Sequence, residues 1–339
     1  FTPFEFRVDS LLKPGKENTL VLRVAGPIIL QDKKIDGVGP LETPQWRGGI
    51  TGGVWQSVRL VATGENLVRD VFVQPRIEDD TATFRLELEN AGSETRTVRL
   101  ETTIRSTKAP DRIVATNVRE VSLRPGVSEH VETLAIPEAR YWSLEDPHLY
   151  QAEVRLAGSD RWTCRFGMRE FTIRDKQFYL NGKPIYLKAT FFEGLYPNRI
   201  AYPDSRDMAA REILLAKEAG FNMIRPWRRP PAPMWLDLAD EMGVLVVGSP
   251  VLECMGLPLS TPYLPNRVER EIRETIRRDR NRACIVQWEL FNELHRPILK
   301  QMMHPMAMMA RKLDPSRLIL DESGGWAFGA RIYLPGEYE

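Results

Sequence analysis

The densest group of chemistry-bearing side chains lies at Trp288-Glu289-Leu290-Phe291-Asn292-Glu293, where two carboxylates four residues apart accompany an amide. Groups of the same kinds stand upstream: Glu193, then Arg225 with Trp227, Arg228 and Arg229, then Glu253 with Met255. Carboxylates that converge with aromatic rings and an amide suit acid–base chemistry on a neutral, hydroxyl-rich ligand. Aromatic faces stack on sugar C–H surfaces, while carboxylates and amides bind hydroxyls. Glu289 and Glu293 at the end of one strand can share a site. The alternative for Glu293 is a solvated acid that opens the next helix, where the dipole favours negative charge.

Such residues need a scaffold that gathers them, and after Asn181-Gly182 strands and helices alternate. Pro184-Ile185-Tyr186-Leu187 reads as the first strand. Ser205 then caps a helix with Ala209, Ile213 and Ala216 on one face, stopped by Gly220. Further strands are expected at Phe221 to Ile224, Val244 to Val247, Ile285 to Leu290 and Leu318 to Leu320. Helices are expected at Met234 to Glu241, from about Arg267, and at Ile298 to Leu313. Asn266 with Glu269 resembles a capping box. The cations of Arg277-Arg278-Asp279-Arg280-Asn281-Arg282 suit a helix C-terminus. Pro305 should kink or restart the last helix, whose Met302, Met303, Met306, Met308 and Met309 read as core. The alternation means parallel βα units. No Gly-rich phosphate loop follows any strand, which counts against a dinucleotide-binding sheet. A (β/α)8 barrel fits better, with the functional residues just beyond the strand ends. On that reading Glu193 follows the first strand, Arg225 and Trp227 the second, Glu253 the third, and Trp288, Asn292 and Glu293 the fourth.

The first half has a period of two. Phe4, Phe6 and Val8, then Leu20, Leu22 and Val24, then Phe84, Leu86 and Leu88, and later Ala152, Val154 and Leu156 alternate with polar residues. Short one-faced strands between turns such as Pro14-Gly15 and Pro125-Gly126 predict antiparallel sandwiches, with a boundary near Thr63-Gly64-Glu65-Asn66. The 339 residues leave room for two or three domains. A net charge of +1 gives no polyanion footprint, so nucleic acid and anionic membrane are poor partners. No apolar run approaches a bilayer span. Cys164, Cys254 and Cys284 are dispersed and read as buried free thiols, not a disulfide framework or a zinc site.

The Trp-x-x-x-Asn-Glu strand end resembles the acid/base motif of retaining glycosidases built on (β/α)8 barrels. The whole chain resembles glycoside hydrolase family 2, which includes β-galactosidases, β-glucuronidases and β-mannosidases. Supporting segments are Phe1 to Phe6 with Leu11 to Gly15, Gly52-Gly53-Val54-Trp55 to Leu60, Tyr141 to Tyr150, and Phe166-Gly167-Met168-Arg169 with Leu180 to Pro184. The resemblance implies the C-terminal part of a jelly-roll sandwich over 1–65, an immunoglobulin-like sandwich over 66–170, and five or so βα units of a TIM barrel over 171–339. It implies Glu293 as general acid and then base, Asn292 as ligand of the sugar 2-hydroxyl, and Arg225 as support for the nucleophile carboxylate. The alternative for Arg225 is a structural ion pair. Trp227, Glu193, Glu253 and Trp288 complete the expected substrate-binding set.

Several positions depart from the family pattern. Pro226-Trp227-Arg228-Arg229-Pro230 stands where members carry Thr-Ser-His-Tyr-Pro, and Thr190-Phe191-Phe192-Glu193 where they carry Asn-Arg-His-Glu. Arg228 and Arg229 either select an anionic sugar by bidentate pairing or pair with Glu193, Glu253 or Glu289. Met255 replaces a metal-binding His, and a thioether is a poor ligand for Mg²⁺, so no metal and no cofactor are expected. The nucleophile is expected beyond Glu339, with Glu322 on the wrong strand. The chain alone is then expected to be inactive, with an open barrel edge after the fifth strand. The expected activity is exo-acting hydrolysis of a terminal β-linked sugar, β-galactoside first, β-glucuronide or β-galacturonide second and β-mannoside third. The rival is a non-catalytic carbohydrate-binding protein on a degenerate barrel. A glycoside is the expected partner, and a homo-oligomer is compatible with the sequence.

Overall fold

The computed structural model describes residues 3–23, 54, 56–199, 202–227, 230–250, 264–294, 297–324 and 329–337. Glu253, Met255, Arg228 and Arg229 lie outside the described residues.

Strands β1 (Asn66–Arg76), β2 (Thr81–Asn90), β3 (Arg96–Ser106), β4 (Ala109–Leu123), β5 (Gly126–Ala135), β6 (Tyr150–Leu156) and β7 (Asp160–Phe166) form two antiparallel sheets. Their orders are β1-β2-β5 and β4-β3-β6-β7. The alternation of the sequence sets the faces. Phe84, Leu86 and Leu88 of β2 meet Leu100, Ile104, Val154 and Phe166 of the other sheet in one core, while polar alternates face outward. The expected strands at Phe4 to Val8 and at Leu20 to Val24 are not formed. Residues 3–23 carry no strand, Phe4, Phe6, Leu20 and Leu22 are exposed, and Val24 is outside the described residues. Alternation states which face would be buried, but a strand also needs a neighbour to pair with, and none is present among the described residues.

A small sheet follows: β8 (Phe171–Arg174), β9 (Gln177–Leu180) and β10 (Lys183–Ile185). Asn181 and Gly182 both have positive φ, at 50° and 73°, which suits a two-residue hairpin turn. That turn returns Lys183 onto Leu180 and Ile185 onto Phe178. The apolar run at Pro184 therefore ends a hairpin and does not open the barrel.

The first barrel strand is instead β11 (Ala189–Phe192). It leads to α1 (Arg206–Glu218), β12 (Met223–Pro226), α2 (Pro233–Met242), β13 (Leu245–Gly248), α3 (Leu264–Asp279), β14 (Ile285–Asn292), α4 (Pro297–Leu313) and β15 (Leu318–Ser323). Strands β11 to β15 run parallel in sequence order, the arrangement of a partial (β/α)8 barrel. Ser205 accepts from Met208 N at 3.1 Å as the α1 cap, and Gly220 follows with φ 85°. Helix α3 begins before Asn266, so that residue sits inside the helix and is no cap. Helix α4 continues through Pro305, and Met302, Met303 and Met306 are buried beneath it. A short strand, β16 (Ile332–Tyr333), pairs antiparallel with Ile319 and Leu320 of β15. The edge after β15 is therefore paired at Ile319 and Leu320.

The sandwich docks on the side of the barrel away from the strand ends. Asn281 donates to Val71 O at 2.7 Å and accepts from Val73 N at 2.9 Å. Arg280 pairs with Asp70 and lies 4.4 Å over the Phe72 ring, and Arg277 pairs with Glu87 at 2.6 Å. The basic run after α3 therefore joins two domains rather than only terminating a helix. Buried Arg169 donates to Ala283 O (2.9 Å) and Ile285 O (2.5 Å), tying the interdomain segment to the start of β14. No helix among the described residues is long and apolar enough to cross a membrane.

Candidate active site

Arg225 lies near the end of β12 and Glu289 on β14, two strands away. Its Nε donates to Glu289 Oε2 at 2.7 Å and its Nη2 to Oε1 at 2.5 Å. A side-chain bridge over β13 places both groups on the concave inner face of the sheet, where alternate strands of a barrel contribute to one layer. The same Nη2 donates to Asn292 Oδ1 at 2.8 Å and to Ser323 Oγ at 2.9 Å. Ser323 closes the cluster, 2.7 Å from both Glu289 Oε1 and Asn292 Oδ1. It reaches this position because β15 pairs with β14 in the register Asn292 to Ser323. Among the described residues Arg225 has Glu289 as its ion-pair partner.

Glu293 follows at the rim. Its backbone turns left-handed (φ 49°), a conformation costly for a non-glycine residue. Neighbouring contacts hold it there: Glu293 N donates to Ser323 O at 2.9 Å, and Leu294 N donates to Glu322 Oε1 at 2.7 Å. Gly324, at φ 75°, leaves the space that the Glu293 side chain uses; a Cβ there would stand 2.7 Å from Glu293 Cγ. The Glu293 side chain is half-buried, and its carboxylate makes no hydrogen bond or ion pair among the described residues. Glu322 is fully buried and supports the turn.

Trp227 extends the site. Its ring lies 5.0 Å from the Arg225 guanidinium carbon and 5.0 Å from the Phe191 ring. Trp227 and Glu193 share the lining of a shallow, open recess between the ends of β11 and β12, with Phe192, Tyr196 and Trp235. Tyr196 donates to Glu212 Oε2 at 2.9 Å, which fastens the Glu193 loop to α1.

Trp288 is a correction. Successive residues of a strand face opposite ways, so Glu289 on the inner face sends Trp288 outward to the helix layer. There it is fully buried, donates from Nε1 to Asp314 Oδ2 at 2.8 Å, and lies against Gly248, where any Cβ would meet the indole at 2.4 Å. It packs the barrel and does not line the strand-end mouth. Ser323 and Gly324 were absent from the expected site, although the sequence carries them directly after Glu322. Only the β14–β15 register would have pointed to them. No cluster of three or more metal-ligating side chains forms among the described residues.

A half-buried carboxylate at the mouth of parallel βα units follows an amide held by Arg225 on a TIM-barrel scaffold. Residues 66–169 match the family model for glycosyl hydrolases family 2, and residues 171–332 match that for the TIM barrel domain of the same family. The chain belongs to glycosyl hydrolase family 2. It is similar to a β-galactosidase of Pseudoalteromonas haloplanktis, with 26% identity over 95% of this chain and 31% of the relative. Among solved structures it resembles a β-glucuronidase of Bacteroides uniformis, with TM-score 0.71 and 22% identity over 84% of this chain and 37% of that one. A β-galacturonidase of Eisenbergiella tayi, solved bound to galacturonate, gives TM-score 0.65 and 25% identity over 76% and 46% of the two chains. The chain spans about a third of the length of the curated relatives it matches.

Proposed function

We propose that the protein containing this chain is a retaining exo-β-glycosidase, β-galactosidase-like, with Glu293 as its acid/base residue. Glu293 protonates the leaving oxygen and then activates water, and Asn292 binds the hydroxyl next to the scissile bond. The observation that carries the reading is the contrast between carboxylates. Glu293 is left without a partner among the described residues, while Glu289 is bound to Arg225 and Glu322 to the Leu294 amide. Neither of those two is available as nucleophile, so the second carboxylate is a residue other than these. Arg225 is paired with Glu289 and so is not the cation that would receive a uronate carboxylate; the β-galactoside reading rests on the family resemblance. Trp227 and Glu193 then offer a stacking face and a hydroxyl acceptor beside it.

The test uses Glu293→Gln in the full-length protein with aryl β-galactosides. Loss of the acid should depress turnover of a poor leaving group by about 100-fold or more, and an activated aryl group far less. Equal activity of variant and wild type on both substrates would sink the assignment, and a panel of aryl β-glycosides would rank the sugars.

A further inference from the structure

Asn292 holds a donor that the described residues do not use. Its Oδ1 accepts from Arg225 Nη2 at 2.8 Å and lies 2.7 Å from Ser323 Oγ, while its Nδ2 is buried without a hydrogen-bond partner among the described residues. The Arg225 guanidinium, which can only donate, decides which end is oxygen. Turned over, the amide would set its N–H₂ against the guanidinium, a donor only, and lose that bond. A buried N–H₂ without an acceptor is costly, so it stands ready for an acceptor brought by a ligand.

Ser323 is the adjustable part of this arrangement. Its Oγ accepts from Arg225 Nη2, and its single proton faces two acceptors at equal distance, Glu289 Oε1 and Asn292 Oδ1. Hydrogen bonds in a chain polarise one another. A ligand hydroxyl that accepts from Asn292 Nδ2 makes Oδ1 the better acceptor and draws the Ser323 proton from Glu289 towards Asn292. Glu289 keeps Arg225 to satisfy it.

We propose that Ser323 is a positioning residue which, with Arg225 and Glu289, fixes the Asn292 amide so that Nδ2 is presented to the sugar hydroxyl beside the scissile bond. This rests on the glycosidase reading above. It predicts that Ser323 matters only while that hydroxyl is present, and more in the transition state than in the bound substrate, because such contacts strengthen there.

The experiment compares nitrophenyl β-galactoside with its 2-deoxy counterpart in the full-length protein, using wild type, Ser323→Ala and Ser323→Thr. Ser323→Ala should lower kcat/KM on the intact glycoside by about 10-fold, mainly in kcat, and by less than about 2-fold on the 2-deoxy glycoside. Ser323→Thr, which restores a hydroxyl, should recover most of the loss. Equal losses on both glycosides, or no loss on either, overturn the proposal. The glycosidase reading fails differently, by the absence of wild-type turnover or by an unaffected Glu293→Gln, and the Ser323 proposal then falls with it.

Discussion

Arg225 and Glu289 form a mixed-burial ion pair whose energetics can be worked from the contacts. The Glu289 side chain is 3% exposed and that of Arg225 25%. Replacing Arg225 by Met leaves a carboxylate in the sheet interior with Ser323 as its one remaining donor among the described residues. Breaking one side of a buried pair costs about 3–5 kcal/mol, whereas replacing both partners with apolar residues of similar volume is near neutral or stabilising. At about 2–4 °C per kcal/mol for a unit of this size, Arg225→Met should lower Tm by roughly 6–20 °C. The double variant Arg225→Met/Glu289→Met should recover most of that loss. The double-mutant cycle, read by thermal or urea unfolding of the full-length protein, should show a coupling of about 3 kcal/mol. Additive single effects, or an Arg225→Met loss below about 1 kcal/mol, would refute the view that the pair is a closed interior unit. The recovered double variant should remain catalytically poor, since Asn292 and Ser323 each lose the Arg225 donor.

Two further outcomes follow from the geometry. Gly324→Ala puts a Cβ 2.7 Å from Glu293 Cγ at a positive φ, so the acid must shift. Activity should fall by about 100-fold, against a stability loss on the order of 1–2 kcal/mol, and an unchanged kcat would show that Glu293 does not need that space. Asp314 is fully buried: burial pushes its carboxyl up, but Arg317, the Trp288 indole and Ser316 outweigh this and hold it below the ordinary 3.8. Its stabilisation is therefore complete above the unfolded value and is lost as pH falls through the folded one. Asp314→Asn should be less stable than wild type at neutral pH. The gap in Tm should close as pH drops below 3.8, and a gap independent of pH would contradict the assignment.

Much of the scaffold could be read from local patterns because local physics decides them. Ser205 caps α1 and Gly220 follows it, since a side-chain acceptor and a left-handed residue are needed there whatever the fold around them. The alternation in β2 and β6 sorted core from surface for the same reason. Local patterns misled wherever the outcome depended on a distant partner. Pro184 to Leu187 looked like a barrel strand, but Asn181-Gly182 folds its start back on β9. Phe4 to Val8 had the period of a strand without, among the described residues, a strand to pair with.

The site divides along the same line. The residue types of Trp288 to Glu293 marked a strand end with an acid and an amide, because those groups are carried on one short segment. Arg225 was legible as a charged group at a strand end, but its choice of Glu289 was not. That choice depends on two side chains meeting across β13, which requires the curvature of the sheet. Alternation sends Trp288 outward once Glu289 faces in, and register alone brings Ser323 beside Asn292 and Gly324 beneath Glu293. The sequence by itself determined which chemistry the chain carries and in what order along the strands. Tertiary structure decided which carboxylate is spent on a cation and which is left half-buried at the rim without a partner among the described residues, because burial and pairing are properties of neighbours rather than of residues.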